Sequence, residues 1–427
     1  MVSTRKHYLH AATDLSDSSN SNFNNFLKKH CNLGATNLYE LSKKKAKQFG
    51  KNIRFMADGH LPWKIAIIVD TILQRRSSRN AENVKWFNHG KGFVIGHQWT
   101  NIVLFFNEVL IPLPPIAFHT KTYCRNYQLQ YLTEHRRVIE YLRHLDLDEY
   151  IGPHDPEQVV VLTDSGYDNK KIAKMIDRKG WKYVMALKKR RSIKTIKEYA
   201  NTPKSTGWHQ IEQFFKNHQH TRWITVHCSP NNSHKTPAEF RARQITGYLN
   251  SVGKTQLICS EINQRRKGRR KYFACNDLKA TPQEILLAYR IRWKIEIFHK
   301  RIRMCLGFED ISLESFKSVV SHVHWVYFTY ILLHSHPPTT AEQIKSTQEK
   351  QWMQMTFFKN KKIASMLQLI SKLYDAFQSK VRLQNTLNNF WAAAPLFSMV
   401  LKESGIISRK LLILSSFITR HVDQILL

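Results

Sequence analysis

Acidic residues are scarce in this sequence relative to basic ones. Asp and Glu together number 32 against 66 Lys and Arg, which gives a formal net charge of +34 at pH 7 over 427 residues. A charge of this size exceeds what solubility requires and predicts a polyanionic partner. A membrane surface is the less favoured polyanion, because the basic residues are spread along the chain rather than gathered on one amphipathic segment.

Several other features are missing. The six cysteines include no C-x-x-C pair, which argues against a zinc module and fits buried thiols in a reducing compartment. We find no glycine-rich nucleotide loop, no internal repeat and no apolar signal stretch at the N-terminus. The most apolar region, 319–333, is interrupted by His322 and His324 and is too short to span a bilayer. We therefore expect a cytoplasmic protein without a membrane segment.

One long helix is predicted over residues 281–306. Thr281, Pro282 and Glu284 form an N-cap, a first-turn proline and a capping-box glutamate. Gly307 suits the left-handed turn that closes a helix. The sequence thus contains capping signals at both ends of this helix.

Two sets of residues recur along this helix at helical spacing. The apolar set should face a core and comprises Leu287, Ile291, Ile295, Phe298 and Ile302. The polar set should lie on the opposite face and comprises Tyr289, Arg292, Glu296 and Arg303. A solvated helix face with i,i+4 charge pairs is the ordinary interpretation of such a stripe.

Two aspartates upstream favour a functional interpretation. Asp70 follows the apolar run 65–69, and Asp164 follows the apolar run 159–162 and Thr163. We expect both runs to be buried strands that end in a carboxylate at the sheet edge, where ligands of open α/β sheets bind. With Glu296 on the helix, the three carboxylates could hold two divalent cations.

Four helix residues then carry a resemblance to a known family. Tyr289, two residues, Arg292, three residues, Glu296, six residues and Arg303 resemble the tyrosine–arginine–glutamate–lysine signature of DDE-class bacterial insertion-sequence transposases. Arg303 replaces the signature lysine, which keeps the charge but not the shape of the contact.

The aspartate regions resemble the same family, so that the resemblance covers roughly residues 60–310. Residues 163–167, Thr-Asp-Ser-Gly-Tyr, are similar to its second-aspartate motif. Residues 69–71 and 96–99 are similar to its first-aspartate region, although close relatives often have a second aspartate where Val69 stands.

The resemblance implies a function and a division of roles. It implies metal-dependent DNA cleavage at insertion-sequence ends followed by strand transfer, with Mg²⁺ as cofactor and Mn²⁺ able to substitute. Asp70 is expected to bridge two metals, with Asp164 on one and Glu296 on the other. Tyr289, Arg292 and Arg303 are expected to hold phosphates near the cut. The partners implied are double-stranded DNA, as element ends and target, and a second copy of the chain in a DNA-bound homodimer; the location implied is the nucleoid.

The fold expected from the resemblance is α/β, a ribonuclease-H-like mixed sheet flanked by helices, interrupted by a β-rich insertion, with helical N- and C-terminal regions. The order of elements supports it: strands within 61–118 separated by a loop at 71–91, a helix at 127–145, the strand to Asp164, a helix from Asn169 to Gly180, and a strand at 181–187. The expected segments are a basic, partly disordered helical region 1–60, core parts 61–187 and 281–336, the insertion 188–280, and the region 337–427.

The insertion carries two basic runs that begin Lys188, Lys189, Arg190 and Arg265, Arg266, Lys267. Basic runs are usually solvated loops, but the high net charge and a strand-cleaving site favour contact with DNA phosphates. Two alternatives stay open from the sequence: a catalytically inactive DNA-binding protein descended from a transposase, and a nuclease of the same fold without strand transfer.

Overall fold

The computed structural model describes residues 25–335 except 26, 51–52, 54–60, 89–91, 203–205, 218–221, 229–237, 263–269 and 312. The helices are α1 Cys31–Gly50, α2 Lys121–Asn126, α3 Glu134–His144, α4 Asp148–Ile151, α5 Lys170–Arg178, α6 Ile196–Asn201, α7 Ile211–Asn217, α8 Pro282–Ile291, α9 Trp293–Cys305 and α10 Phe316–His334. The strands are β1 Ile65–Arg75, β2 Lys85–Asn88, β3 Phe93–Phe106, β4 Val109–Pro112, β5 Ile116–Ala117, β6 Val159–Thr163, β7 Lys182–Leu187, β8 Ser192–Thr195, β9 His209–Gln210, β10 Ile224–Cys228, β11 Ala238–Leu249, β12 Gly253–Ile262 and β13 Lys271–Cys275.

The described strands form one 13-stranded sheet with the path β2-β3-β1-β6-β7-β13-β12-β11-β8-β9. β1 pairs antiparallel with β3 and parallel with β6, and β6 pairs parallel with β7. β4 continues the antiparallel hairpin from β3 through a turn at Asn107 and Glu108, which both have positive φ. This mixed order, flanked by helices, confirms the predicted ribonuclease-H-like fold.

The central strands are buried on both faces. Every residue of β6 is buried, and so is every residue of β1 from Ile65 to Asp70. Such strands need near-continuous apolar sequence because helices cover both sides of the sheet. Each fully buried Val or Ile stabilises the fold by about 1.5–3 kcal/mol relative to an exposed one, which explains why these runs are the strongest strand signals in the chain.

The two faces of β1 meet different helices. Ile65, Ile67 and Val69 belong to the core that also contains Val138 of α3 and Ile172 of α5. Because side chains alternate along a strand, Asp70 points to the other face, where α9 contacts β1. Thr71 therefore faces α3, while its neighbour Asp70 faces the helix that carries Glu296.

The segment predicted as a loop at 71–91 begins with strand. β1 runs five residues past Asp70, and Thr71–Arg75 remain paired with β3. Polar residues are stable here because they find partners: Gln74 Nε2 donates to the Phe308 carbonyl at 2.6 Å, and Arg76 Nη1 to the Ile311 carbonyl at 2.6 Å. The hydrophobic pattern of the sequence did not predict this extension, because the residues are polar. Their partners are carbonyls far away in the chain, which a local pattern does not include.

Two predicted helices also differ from the structure. The helix predicted at 127–145 begins only at Glu134, because Gln128 has φ +54° and Thr133 is the N-cap. The helix predicted at 281–306 is divided at Arg292, where the amide hydrogen bond goes to the Tyr289 carbonyl, three residues back, at 3.2 Å. Of the apolar stripe predicted for this helix, Leu287 is only half-buried.

The insertion extends the core sheet. β13 pairs antiparallel with β7, and β12, β11 and β8 follow in order. The region 337–427 and most of the N-terminal basic segment lie outside the described residues. Among the described helices none is long and apolar enough to cross a membrane.

Candidate active site

The first carboxylate, Asp70, lies where the pairing between β1 and β6 ends. The parallel pairing of β1 with β6 ends at Val69 opposite Thr163. Asp70 is the next residue of β1, and Asp164 is the next residue after β6. Both aspartates therefore lie just beyond the end of the β1–β6 pairing, at the carboxyl edge of β6, which is where ligands of such sheets bind. The sequence predicted this edge but not the continuation of β1 beyond it.

Asp164 opens the short 3₁₀ turn Ser165–Tyr167 as its N-cap. Its Oδ1 accepts a hydrogen bond from the Gly166 amide at 2.9 Å. A Cβ atom at Gly166 would lie 2.9 Å from the same Oδ1. A side chain at this position would therefore displace the Asp164 carboxylate from its hydrogen bond to the Gly166 amide.

Glu296 comes from the first turn of α9, opposite the aspartates. The preceding helix α8 starts with a complete capping box, in which Thr281 accepts from the Glu284 amide and Glu284 accepts from the Thr281 amide. Ile295, Phe298 and Ile302 bury the inner face of α9. The apolar stripe thus fixes the rotation of the helix, and Glu296 remains half-exposed above the sheet edge.

Arg292 joins two of the three carboxylates. Its Nη1 lies 2.9 Å from Asp70 Oδ2, and its Nη2 lies 3.3 Å from Glu296 Oε1. The side chain of Arg292 is only 13% exposed. Among the described residues its Nε is a buried donor without a hydrogen-bond partner, so the two Nη atoms carry the contacts to the carboxylates.

The charge at this edge is not balanced by Arg292 alone. Burial raises the pKa of Asp70 to about 7, Arg292 acts in the opposite sense, and Glu296 and Asp164 raise the pKa further. A carboxyl with such a pKa is only partly ionised at neutral pH, so a cation among these groups would draw it fully into the charged form. The site therefore carries more carboxylate charge than Arg292 neutralises, and a bound cation would be stabilised there.

The donor set fits a divalent cation. Asp70, Glu296 and His299 each offer one ligand atom, and these atoms all lie within 4.8 Å of one another. Carboxylate oxygens are the ligands that Mg²⁺ and Mn²⁺ prefer. Asp164 lies outside that close group, yet near enough to raise the pKa of Asp70.

His299 is a site residue that the sequence reasoning did not select. Its Nδ1 lies 4.0 Å from Glu296 Oε2, and its Nε2 lies 2.7 Å from Asn101 Nδ2. Asn101 Oδ1 in turn accepts from the Tyr327 hydroxyl at 2.5 Å. Burial lowers the pKa of His299 to about 3, so the ring is neutral. The i+3 spacing from Glu296 was the available signal.

Tyr289 and Arg303 flank the carboxylates without joining them. The Tyr289 ring packs on Phe273 with ring centroids 4.5 Å apart, and the Arg292 guanidinium carbon lies 5.6 Å from the centre of the same tyrosine ring. Arg303 Nη2 donates to the Leu73 carbonyl at 3.0 Å, and its Nε lies 3.3 Å from Glu309 Oε1. Arg303 is thus tied to the extended part of β1.

The first basic run lies beside the Asp164 turn. Lys188, Lys189 and Arg190 are exposed in the turn after β7, and the Lys188 amide donates to Asp168 Oδ2 at 3.2 Å. Since β7 is parallel to β6, this turn is at the carboxyl edge that carries the aspartates. Residues of the second run, Arg265, Arg266 and Lys267, lie outside the described residues.

Comparison with protein families identifies a match. A family model described as transposase DDE domain matches residues 115–332. This range includes Asp164 and Glu296, whereas Asp70 lies upstream of it. No curated protein matches the chain.

Proposed function

Because this chain belongs to the family of DDE-class transposases, we propose that it cleaves DNA at the ends of an insertion sequence and transfers the freed strands to a target. The single observation that supports this proposal best is the meeting of Asp70 and Glu296 on Arg292, with Asp164 at the same edge of the sheet. These residues are 226 positions apart at the extremes, from Asp70 to Glu296, and the fold brings them together.

The family uses divalent metal ions, and Asp70, Asp164 and Glu296 would hold them, with Mg²⁺ proposed and Mn²⁺ able to substitute. When bound, such ions supply Lewis acidity and neutralise charge on the phosphodiester. His299, whose Nε2 accepts from the Asn101 amide, would direct its Nδ1–H toward Glu296 and so orient that carboxylate.

The remaining side chains are proposed to bind DNA. Arg292 would keep Asp70 and Glu296 together and add positive charge beside the scissile phosphate. Tyr289 and Arg303 would contact the DNA strand on either side of the carboxylates. Lys188, Lys189 and Arg190 would bind the backbone next to Asp164, and the run from Arg265 would extend that contact. The family resemblance also supports action as a homodimer on paired DNA ends.

The triad provides the direct test. We expect Asp70→Asn, Asp164→Asn and Glu296→Gln each to lower Mg²⁺-dependent nicking of a supercoiled plasmid carrying the gene with its flanking DNA by about 10²-fold or more. Each change removes one negative charge while keeping side-chain volume, so the Kd for DNA should stay level. Groups that act as one unit are non-additive, so a double variant should be little worse than a single one.

Glu157→Gln is the matched control, because Glu157 is exposed before the start of β6, at the opposite edge of the sheet. It should nick as the wild type does. A fully active Glu296→Gln protein would remove the catalytic assignment. Supplying pre-cut ends separates the other possibilities: nicking without joining indicates a nuclease, and DNA binding without nicking indicates an inactive descendant.

A further inference from the structure

A fourth carboxylate near the site has no role in the scheme above. Glu134 is the first residue of α3, with Thr133 as N-cap. Its Oε1 accepts from the Thr71 hydroxyl at 2.5 Å and the Tyr167 hydroxyl at 2.7 Å, and its Oε2 accepts from Gln98 Nε2 at 2.6 Å. A longer contact of 3.3 Å joins Oε1 to the Thr100 hydroxyl. One half-buried carboxylate is thus surrounded by four neutral donors.

Two of these donors belong to the segments that carry the aspartates, and the other two to β3. Thr71 directly follows Asp70, and Thr100 is its cross-strand partner on β3. Tyr167 ends the 3₁₀ turn that Asp164 opens. The Thr71 and Tyr167 hydroxyls also lie 2.6 Å from each other. Glu134 therefore links the strand of the first aspartate to the turn of the second through a single oxygen, Oε1.

The next residue of the helix strengthens this link. His135 Nε2 lies 2.8 Å from the Gly166 carbonyl, and Asn169 Nδ2 lies 3.1 Å from His135 Nδ1. Gly166 is the residue whose amide holds Asp164 Oδ1. The first turn of α3 thus contacts the Asp164 turn through two consecutive residues.

Glu134 is better suited to positioning than to binding a cation. It is absent from the group of side chains in the described residues that could hold a metal ion, and its oxygens are occupied by hydroxyl and amide donors. An ionised carboxylate makes shorter and stronger hydrogen bonds than a neutral acceptor. Partners in the second layer of a metal site fix the direction of the ligands.

We propose that Glu134 is a positioning residue that holds Asp70 and Asp164 at the separation needed for their shared task. This inference rests on the proposed function of the aspartates. Thr71, Tyr167 and Gln98 are the hydrogen-bond donors through which Glu134 acts. Gln98 lies in the segment that resembles the first-aspartate region, and this role assigns its side chain a task there.

Exchanging the partners tests the proposal. Glu134→Gln removes the charge and leaves one acceptor oxygen, which cannot accept from Gln98 and from the two hydroxyls at once, so we expect the nicking rate on the plasmid described above to fall about 10- to 100-fold, with DNA affinity unchanged. The double variant Gln98→Glu/Glu134→Gln restores a donor–acceptor pair with the same net charge. It should recover most of the lost rate, and Gln98→Glu alone, which opposes two carboxylates, should not.

A second readout separates this inference from the proposed function. Calorimetry with Mn²⁺ on DNA-free protein should show weaker binding in Glu134→Gln and recovery in the double variant, whether or not the wild type nicks DNA. All assays are run well below the melting temperature of each variant, because a merely structural role leaves the folded protein fully active. Should Glu134→Gln fail to fold, Tyr167→Phe removes one of the bonds and should give a smaller loss in the same direction.

Two results would overturn the proposal. One is a folded Glu134→Gln protein with wild-type nicking and Mn²⁺ affinity. The other is a double variant that stays as impaired as Glu134→Gln in both measurements. A wild type that binds Mn²⁺ but never nicks would instead remove the proposed function. The positioning role of Glu134 would then be decided by the Mn²⁺ affinities of the variants alone.

Discussion

Arg292 contacts two of the three carboxylates of the site. Its planar guanidinium places one Nη on Asp70 and the other on Glu296. A lysine ammonium has a single nitrogen and could not hold the two carboxylates in the same way. We predict that Arg292→Ala lowers stability in the absence of divalent ions by about 1–3 kcal/mol, because a buried acceptor loses its partner. Millimolar Mg²⁺ should raise the melting temperature of Arg292→Ala more than that of the wild type, since a cation replaces the lost charge.

Lys294 offers a matched control on the same helix. It pairs with Glu108 at 3.0 Å, with both side chains 43% exposed. Lys294→Ala should cost well under about 1 kcal/mol and show no added response to Mg²⁺. If Arg292→Ala melts with the wild type in both conditions, the guanidinium does not neutralise the carboxylates.

Single-residue roles were only partly visible in the sequence. The spacing of Tyr289, Arg292 and Glu296 indicated a shared helix face, because helical periodicity is local. The sequence could not show that Arg292 is held by Asp70, a residue 222 positions away. Nor could it select Glu134, whose partners come from three separate segments and follow no periodic pattern.

Among the elements, the break between α8 and α9 makes a prediction about helix capping. Thr281→Ala removes a capping-box partner and should cost about 1 kcal/mol of stability. The division at Arg292 separates that cap from the helix of Glu296, so the nicking rate of the folded protein should not change. Denaturant unfolding and plasmid nicking measured on the same preparations test both parts.

The chain supplies its own control for this change. Thr195 forms the same complete capping box with Glu198 at the start of α6, within the insertion. Thr195→Ala should cost about the same as Thr281→Ala. A large loss of nicking in Thr281→Ala alone, at equal stability, would mean that α8 and α9 transmit strain as one rigid helix.

Elements were predictable in proportion to the local signal. β6, α5 and β7 were found close to their bounds, because a buried apolar run or an Asn169 cap marks them. The extension of β1 was missed since Gln74 and Arg76 are polar yet bonded to carbonyls after α9. The helix predicted from 127 was too long because leucines in an irregular segment happen to match helical spacing, and Leu129 is 45% exposed.

For the molecule as a whole, buried histidines predict a loss of stability in mild acid. Burial lowers the pKa values of His97, His322 and His324 to about 4. Between the ordinary value of 6.5 and about 4, the unfolded chain binds protons that the folded chain does not. Each histidine therefore lowers stability by about 1.4 kcal/mol per pH unit as pH falls through that range. Asp70 has a raised pKa, so the folded chain binds its proton first and stability rises as pH falls. This effect offsets that of about one histidine.

Unfolding at pH 6.5 and pH 5 measures this effect. His322→Gln keeps a donor for the Gly307 carbonyl, which His322 contacts at 3.1 Å, and should reduce the drop between these pH values by about 2 kcal/mol. His144→Gln is the control, because His144 is exposed, and it should keep the wild-type drop. An unchanged drop in His322→Gln would show that this ring is protonated in the folded state.

The net charge of +34 predicts how DNA binding depends on salt. If six or more phosphates are neutralised, the logarithm of the binding constant for duplex DNA should fall linearly with the logarithm of salt concentration, with a slope of about −5 or steeper. Changing Lys188, Lys189 and Arg190 together to Gln should make the slope shallower by up to about 3, because each lost phosphate contact removes about 0.9.

A control with the same loss of charge separates contact from general attraction. α5 runs back from the Asp164 turn, so Arg178 lies at the edge opposite the carboxylates, as do Arg143 at the end of α3 and Lys182 at the start of β7. Changing these three to Gln should leave the slope close to that of the wild type, because released counterions come only from contacted phosphates. Equal slopes for both triple variants would mean that the turn after β7 does not contact DNA. A wild-type slope near zero would go further and remove the inference of a polyanionic partner, on which the charge argument depends.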